Sequence, residues 1–129
     1  AAGRLEHNRP FGIGVSTPRE MALLIARIEG GLVVSSAASR EMIAILKRQQ
    51  HKDGIGRRMG GLAVASKSGS LDALRSDVGI VYAPGGRLAM AITVDGMPKV
   101  DCSADNPGLI LIADLAKALV EELAPAPAR

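Results

Sequence analysis

An α+β fold, an antiparallel sheet of at least three strands with helices packed on it, is the class this 129-residue sequence predicts. Three observations carry the prediction. Two amphipathic helical runs with start signals occupy the first part of the chain. Three short β-type runs joined by Gly-containing turns fill the middle. A long apolar helical run then follows Asn106-Pro107.

Residues 1–16 read as an irregular, Gly-rich segment in which Phe11-Gly12-Ile13-Gly14-Val15 is a short apolar patch. Thr17-Pro18-Arg19-Glu20 is a helix start: Thr as N-cap, Pro at the first helical position, and Glu three residues on to close a capping box. Met21, Leu24, Ile25 and Ile28 then fall on one face, and Gly30-Gly31 ends the helix. A second helix is predicted from Ser36 or Ser39 to about Gln50, with Met42, Ile45 and Leu46 as its apolar stripe and Arg40, Lys47 and Arg48 outward. His51 to Gly61 reads as a basic, Gly-rich connection.

Strands are predicted over Leu62–Lys67, Val78–Ala83 and Leu88–Val94, the last two joined as a hairpin by Pro84-Gly85-Gly86. Asn106 and Pro107 are an N-cap and first-turn pair for a helix reaching about Leu123. Leu109, Ile112, Ala116, Leu119 and Leu123 line one side of it, and Ile110, Leu111, Leu115 and Val120 widen the apolar surface well past one stripe. Residues 17–123 thus make a single domain, followed by a tail, 124–129, expected to be disordered.

Composition narrows the function classes. Hydrophobic residues make up 47% of the chain, so a modest aliphatic core is available, while Trp is absent and Phe and Tyr occur once each. The net charge is +3 with the basic residues scattered. Neither stacking platforms nor a phosphate-tracking stripe is present, which argues against nucleic acid as partner. Cys102 is the only cysteine, so no intrachain disulfide forms, and it reads as a bystander thiol. No apolar run reaches the roughly 18 residues of a membrane span, and the N-terminus shows no hydrophobic signal core. No Cys/His/Asp cluster has metal spacing and no phosphate loop occurs, so no cofactor or metal is implied. His7 and His51 lie in polar segments and read as solvated.

The chemistry-bearing stretch is Ser66-Lys67-Ser68-Gly69-Ser70-Leu71-Asp72, followed by Arg75-Ser76-Asp77-Val78-Gly79-Ile80-Val81-Tyr82. A Lys, a hydroxyl residue and a Gly in a row on a strand present a cation, a short donor and an unobstructed backbone edge. That suits a carboxylated substrate lying along the strand. The bland alternative is a lysine snorkelling at a strand end beside an edge serine. On a strand Ser66 and Ser68 face away from Lys67, so a direct Ser–Lys proton transfer within the triplet is poorly placed.

Lys67-Ser68-Gly69 resembles the K-T-G element of penicillin-recognising serine hydrolases. The order of elements, with Ser16-Thr17-Pro18-Arg19-Glu20-Met21-Ala22, Ser36 through Ser39-Arg40-Glu41-Met42-Ile43, Leu46, Gln49 and Asp77 to Tyr82, resembles the C-terminal part of class A-type serine β-lactamases over roughly Ser16 to Leu123. The resemblance implies half of the β-lactamase α/β domain. It makes Lys67, Ser68, Gly69, Ser70 and Arg75 the candidate substrate-binding residues. Lys67 would help fix a substrate carboxylate, Ser68 would hydrogen-bond it, the Ser70 N–H would donate to an oxyanion, and Arg75 would add a second cation. A periplasmic or secreted location is implied by the family alone.

The rest of that active site is absent from these residues. No serine has a lysine three positions on, and no S-x-N occurs; Ser103-Ala104-Asp105-Asn106 has the wrong spacing for an S-D-N loop. The catalytic residues are therefore unknown, with Lys67 and Ser68 as weak candidates. Three readings stay open: a β-lactamase-type hydrolase portion, an autonomous small hydrolase or esterase with an oligomeric site, and a non-catalytic vestigial binding module. The expected partners are a small carboxylated or ester/amide substrate, and either further copies of the chain in a homo-oligomer or a complementary N-terminal fragment.

Overall fold

The structure, a computed structural model, describes residues 15–127. The irregular segment expected over residues 1–16 lies outside the described residues up to Gly14, as do Ala128 and Arg129 of the tail. Helix α1 (Pro18–Glu29) and helix α2 (Ser36–Lys47) lead through a one-turn 3-10 helix (Ile55–Arg58) to strands β1 (Val64–Leu71), β2 (Leu74–Ala83) and β3 (Gly86–Val94), and helix α3 (Pro107–Leu123) follows. The strands form an antiparallel sheet in the order β1-β2-β3. The predicted α+β class is the observed one.

Local chemistry sets the helix ends. The Thr17 hydroxyl accepts from the Glu20 N–H at 3.2 Å while the Glu20 carboxylate accepts from the Thr17 N–H at 2.8 Å, closing the expected capping box. Ser35, one residue before the predicted start, caps α2 by accepting from the Ala38 N–H. The buried residues of α2 are Ser39 and Ile43, with Leu46 packed behind them, whereas Ile45 is exposed. The predicted stripe through Met42 and Ile45 is rotated because the buried Ser39 hydroxyl bonds both backbone groups of Val33 and turns that face inward. The helix also ends at Lys47 rather than near Gln50.

Antiparallel partners share a face, so the register defines two faces of the sheet. Ala65, Ile80 and Ala89 belong to the face covered by Ile25 of α1 and Ile43 of α2. Val81 and Met90 lie on the other face, against Ile55 and Met59 around the 3-10 turn and Ile112, Ala116 and Val120 of α3. The result is a helix–sheet–helix sandwich with a core on each side. The stretch expected to be only a basic connection thus supplies two core residues, Ile55 and Met59, whose isolated spacing carries no helical or strand period.

β1 and β2 run further than the apolar pattern predicts. Leu71 pairs with Leu74 across a two-residue turn, Asp72-Ala73, so main-chain pairing continues past the last apolar residue of each strand. The Lys67-Ser68-Gly69 triplet is consequently inside the strand, not at its end. Gly79 lies opposite Ser66, so close that a Cβ there would sit 2.6 Å from the Ser66 Cβ and 2.7 Å from the Ala65 carbonyl oxygen. The tail also begins differently from expectation: Ala124 is 6% exposed, and its backbone with that of Pro125 lies against Gly85 in the β2–β3 turn. On α3, Leu119 and Leu123, predicted to line the packed side, are exposed together with Leu111 and Leu115. The sheet takes the side bearing Ile112, Ala113, Ala116 and Val120 instead.

One carboxyl is buried under the sheet. Asp77, opposite Ser68 in the register, is 1% exposed; its Oδ2 accepts from the Ile55 N–H at 2.9 Å and its Oδ1 has no partner. Burial is the main reason its pKa is raised from 3.8 to about 6, opposed by the bonds from Ile55, Ser66 and Val78 and weakly by the Lys67 charge.

Two predictions follow from this packing. Gly79→Ala, measured by urea denaturation, loses roughly 1–3 kcal/mol of stability because the added methyl has nowhere to go. Asp77 holds its proton more tightly folded than unfolded, so its contribution is full below pH 3.8 and is lost as pH rises through about 6. Relative to Asp77→Asn, the wild-type chain should therefore lose roughly 2–3 kcal/mol between about pH 4 and about pH 7.5. A difference that stays flat with pH contradicts this.

Candidate functional site

The alternation of β1 sends Ser66, Ser68 and Ser70 to the α3 side of the sheet and Lys67 and Gly69 to the other. Ser66 is 0% exposed and accepts from the Gln49 side-chain amide at 3.0 Å. Ser68 is half-buried and Ser70 exposed. Both open onto a cavity of about 200 Å³ whose other walls are His51, Asp53 and Gly54 before the 3-10 turn, Arg75 on β2, Cys102, Ser103 and Ala104 in the loop before α3, and Leu109. Three of the five candidate substrate-binding residues, Ser68, Ser70 and Arg75, thus meet at one pocket.

Arg75 lines that pocket from beneath. It is 3% exposed, and its guanidinium donates to the carbonyls of Leu71, Leu74 and Asp101. These bonds tie the β1–β2 turn to the loop before α3, and the Asn106 side-chain amide donates to the same Asp101 carbonyl at 2.8 Å. The acceptors are neutral oxygens, so the positive charge of Arg75 is retained under the pocket floor. Two of its five N–H groups remain. The Asp101 carboxylate beside it is turned to Ser103, whose bonds hold its pKa below the usual carboxylate range.

Lys67 is exposed and its ammonium donates to the Ser68 carbonyl. Gly69 is exposed too, and nothing lies within 4 Å of where a Cβ would stand. The α1–α2 layer covers Ala65 on that side of the strand but leaves the Gly69 position open. The structure therefore separates the triplet: the hydroxyls face the pocket, and the lysine and the bare glycine face outward. A larger cavity, about 380 Å³, lies between α1 and α2 on the far face, but it contains none of the candidate residues. There the Tyr82 hydroxyl donates to Glu29 at 2.6 Å, Arg87 pairs with Glu29 at 2.9 Å, and the Lys47 ammonium sits 3.8 Å from the Tyr82 ring centre. That network ties α1 and α2 to the sheet and raises the Tyr82 pKa, chiefly through burial.

Sequence reasoning missed Asp77 as a site element, along with the His51–Gly54 wall. The available signal was a single carboxylate, Asp77, at the start of the otherwise apolar run Val78 to Tyr82. The close approach of Gly54, where a Cβ would stand 2.5 Å from the Asp77 Oδ2, has no sequence signature beyond the glycine itself. Among the described residues no group of three His, Cys, Asp or Glu side chains is arranged to hold a metal ion, and no helix is long and apolar enough to cross a membrane.

The geometry has counterparts among known proteins. The model of the β-lactamase enzyme family matches residues 4–123. A β-lactamase from Sphaerobacter thermophilus DSM 20745 is 29% identical, with a TM-score of 0.75 over 88% of this chain and 42% of that one. A β-lactamase from Chitinophaga pinensis DSM 2588 is 27% identical, TM-score 0.68, over 79% and 40%. A class A β-lactamase from Bacteroides cellulosilyticus DSM 14838, 24% identical over 87% and 43%, shares the fold with a TM-score of 0.71. This chain thus spans less than half the length of these relatives. No curated protein matches it. A family match over nearly the whole sequence, on a sandwich that superposes on half of solved β-lactamases, means that the chain belongs to the β-lactamase enzyme family.

Proposed function

We propose that this chain is the substrate-recognising portion of a β-lactamase-type serine hydrolase, with the nucleophile and its base supplied by a segment that is not among these 129 residues. The observation that carries the reading is the convergence of Ser68, Ser70 and the buried Arg75 charge on one pocket, in a chain of this family that lacks S-x-x-K and S-D-N. The substrate is a small carboxylated ester or amide. Its carboxylate is held by the Ser68 hydroxyl in the field of Arg75 and Lys67, and its backbone lies along the open β1 edge past Gly69. The Ser70 N–H donates to the oxyanion that develops at the scissile carbonyl. Water attack on the acyl intermediate needs groups from the missing segment, as does acylation itself.

An autonomous hydrolase would need a base beside a serine of this strand. Ser66 is buried, and Ser68 and Ser70 project from the face opposite Lys67, so that lysine would have to come from another subunit. The segment that completes the enzyme docks where the fold is unfinished: the outer edge of β3, unpaired among the described residues, and the row Leu111, Leu115, Leu119 and Leu123 along the outside of α3. Open edges and apolar rows of this kind drive association. In isolation a second copy of the chain takes that place.

Two measurements test the reading. Cys102 is exposed on the pocket wall, so its alkylation rate reports occupancy. Benzylpenicillin should slow alkylation saturably, and Lys67→Ala or Ser68→Ala should weaken that protection roughly tenfold or more, the worth of a hydrogen bond to a charged group. Alkylation indifferent to the ligand contradicts the proposal. Sedimentation should show concentration-dependent dimers of the isolated chain that Leu115→Glu converts to monomer; a monomer at every concentration argues against the docking surface.

A further inference from the structure

Asp77 has a place in the site that its structural role does not exhaust. The β1–β2 register puts it directly behind Ser68, and its Oδ2 holds the Ile55 N–H, pinning the His51–Gly54 wall of the pocket to β2. Gly54 is pressed so closely on it that no side chain fits there. Oδ1 is buried and has no partner, an arrangement far costlier for a carboxylate than for a carboxylic acid, whose O–H can be given to Ser66.

The surrounding charges are few. Lys67 of β1 lies on the opposite face of the sheet, its charge felt only weakly at Asp77, and Arg75 stands two residues along the strand on the same face as Asp77, its charge felt by the Asp101 carboxylate. His51 and Asp53 line the wall it pins. Arg57 and Arg58 of the 3-10 turn are paired with Asp105 and Asp114. β3 presents Ile92 opposite it, and α3 packs with Ile112 and Leu109.

We propose that Asp77 is a positioning residue that couples proton uptake to anion binding in this pocket: protonated, it holds the wall and leaves the Arg75 charge to the ligand carboxylate; ionised, it opposes that carboxylate from behind Ser68. This rests on the pocket being the carboxylate site proposed above. Its raised pKa, about 6, puts the change of charge within reach of ordinary pH. A ligand carboxylate stays ionised throughout that range. Binding therefore strengthens as pH falls, and each bound anion draws a proton from solution near neutrality. At an effective dielectric of about 20, a unit charge about 10 Å from the ligand changes affinity roughly tenfold.

The experiment is calorimetric titration of the full chain with benzylpenicillin at about pH 5 and about pH 7.5, repeated near pH 6.5 in two buffers of different ionisation enthalpy. The expected result is affinity roughly tenfold higher at the lower pH, and net proton uptake near pH 6.5, with Asp77→Asn removing both. His51→Asn, which removes the imidazole on the same pocket, should leave both in place. The proton count needs only the wild-type chain, so it stands even if Asp77→Asn fails to fold. Binding without proton uptake, or a pH dependence that survives Asp77→Asn or disappears in His51→Asn, overturns the coupling and leaves the carboxylate pocket intact. Absence of binding at either pH overturns the pocket assignment and the coupling with it.

Discussion

The pairing of β1 with β2 through the two-residue turn at Asp72-Ala73 is the constraint on which the rest of this structure depends. It fixes a register in which Ser66, Ser68 and Ser70 stand opposite Gly79, Asp77 and Arg75. A slip of one residue would send every one of these side chains to the opposite face. In the observed register the hydroxyls meet a buried cation and a buried carboxyl, while Lys67 and Gly69 are left on the outer side. Gly79 is part of the same constraint, because only a glycine lets Ser66 approach β2 so closely. Both Arg75 and Asp77 then reach past the sheet, one to the loop before α3 and the other to the 3-10 turn. The pocket walls are thus hung from two alternate positions of one strand, Arg75 and Asp77.

Much of this fold is legible in the sequence where a single local rule governs the outcome. The Thr17-Pro18-Arg19-Glu20 cap and the Asn106-Pro107 start need only their own side chains and backbone, and they lie where expected. The sheet order follows from hairpin turns. What local reasoning loses is decided by tertiary partners. Ser39 is buried because it bonds Val33, a contact that no helical periodicity reveals. Leu119 and Leu123 continue the apolar run of α3 but face away, because the sheet takes the side bearing Ala113 and Ala116, where small residues allow close approach. β1 and β2 extend beyond their apolar residues because pairing, not hydrophobicity, holds their ends.

The candidate site divides in the same way. The Lys-Ser-Gly triplet is visible as a motif, and the register brings two of its neighbours, Ser70 and Arg75, to the same pocket as Ser68. Arg75 carries its charge from below, its donors largely taken by carbonyls, which a sequence cannot disclose. Asp77 is hidden for another reason: a carboxylate in a strand normally signals a solvent-facing position, and here it is enclosed. The end of β1 around Gly69, the edge of β3 and the leucine row of α3 remain uncovered by the described residues. All three are consistent with a chain that spans less than half the length of its structural relatives.

The central claim is that recognition and covalent chemistry are divided, with recognition here and the nucleophile elsewhere. Intact mass spectrometry of the folded chain, exposed separately to a fluorophosphonate and to benzylpenicillin, tests this most directly. The account predicts an unmodified mass with either reagent. A stoichiometric adduct, mapped to one serine of this chain, would contradict it and place a working nucleophile within these residues.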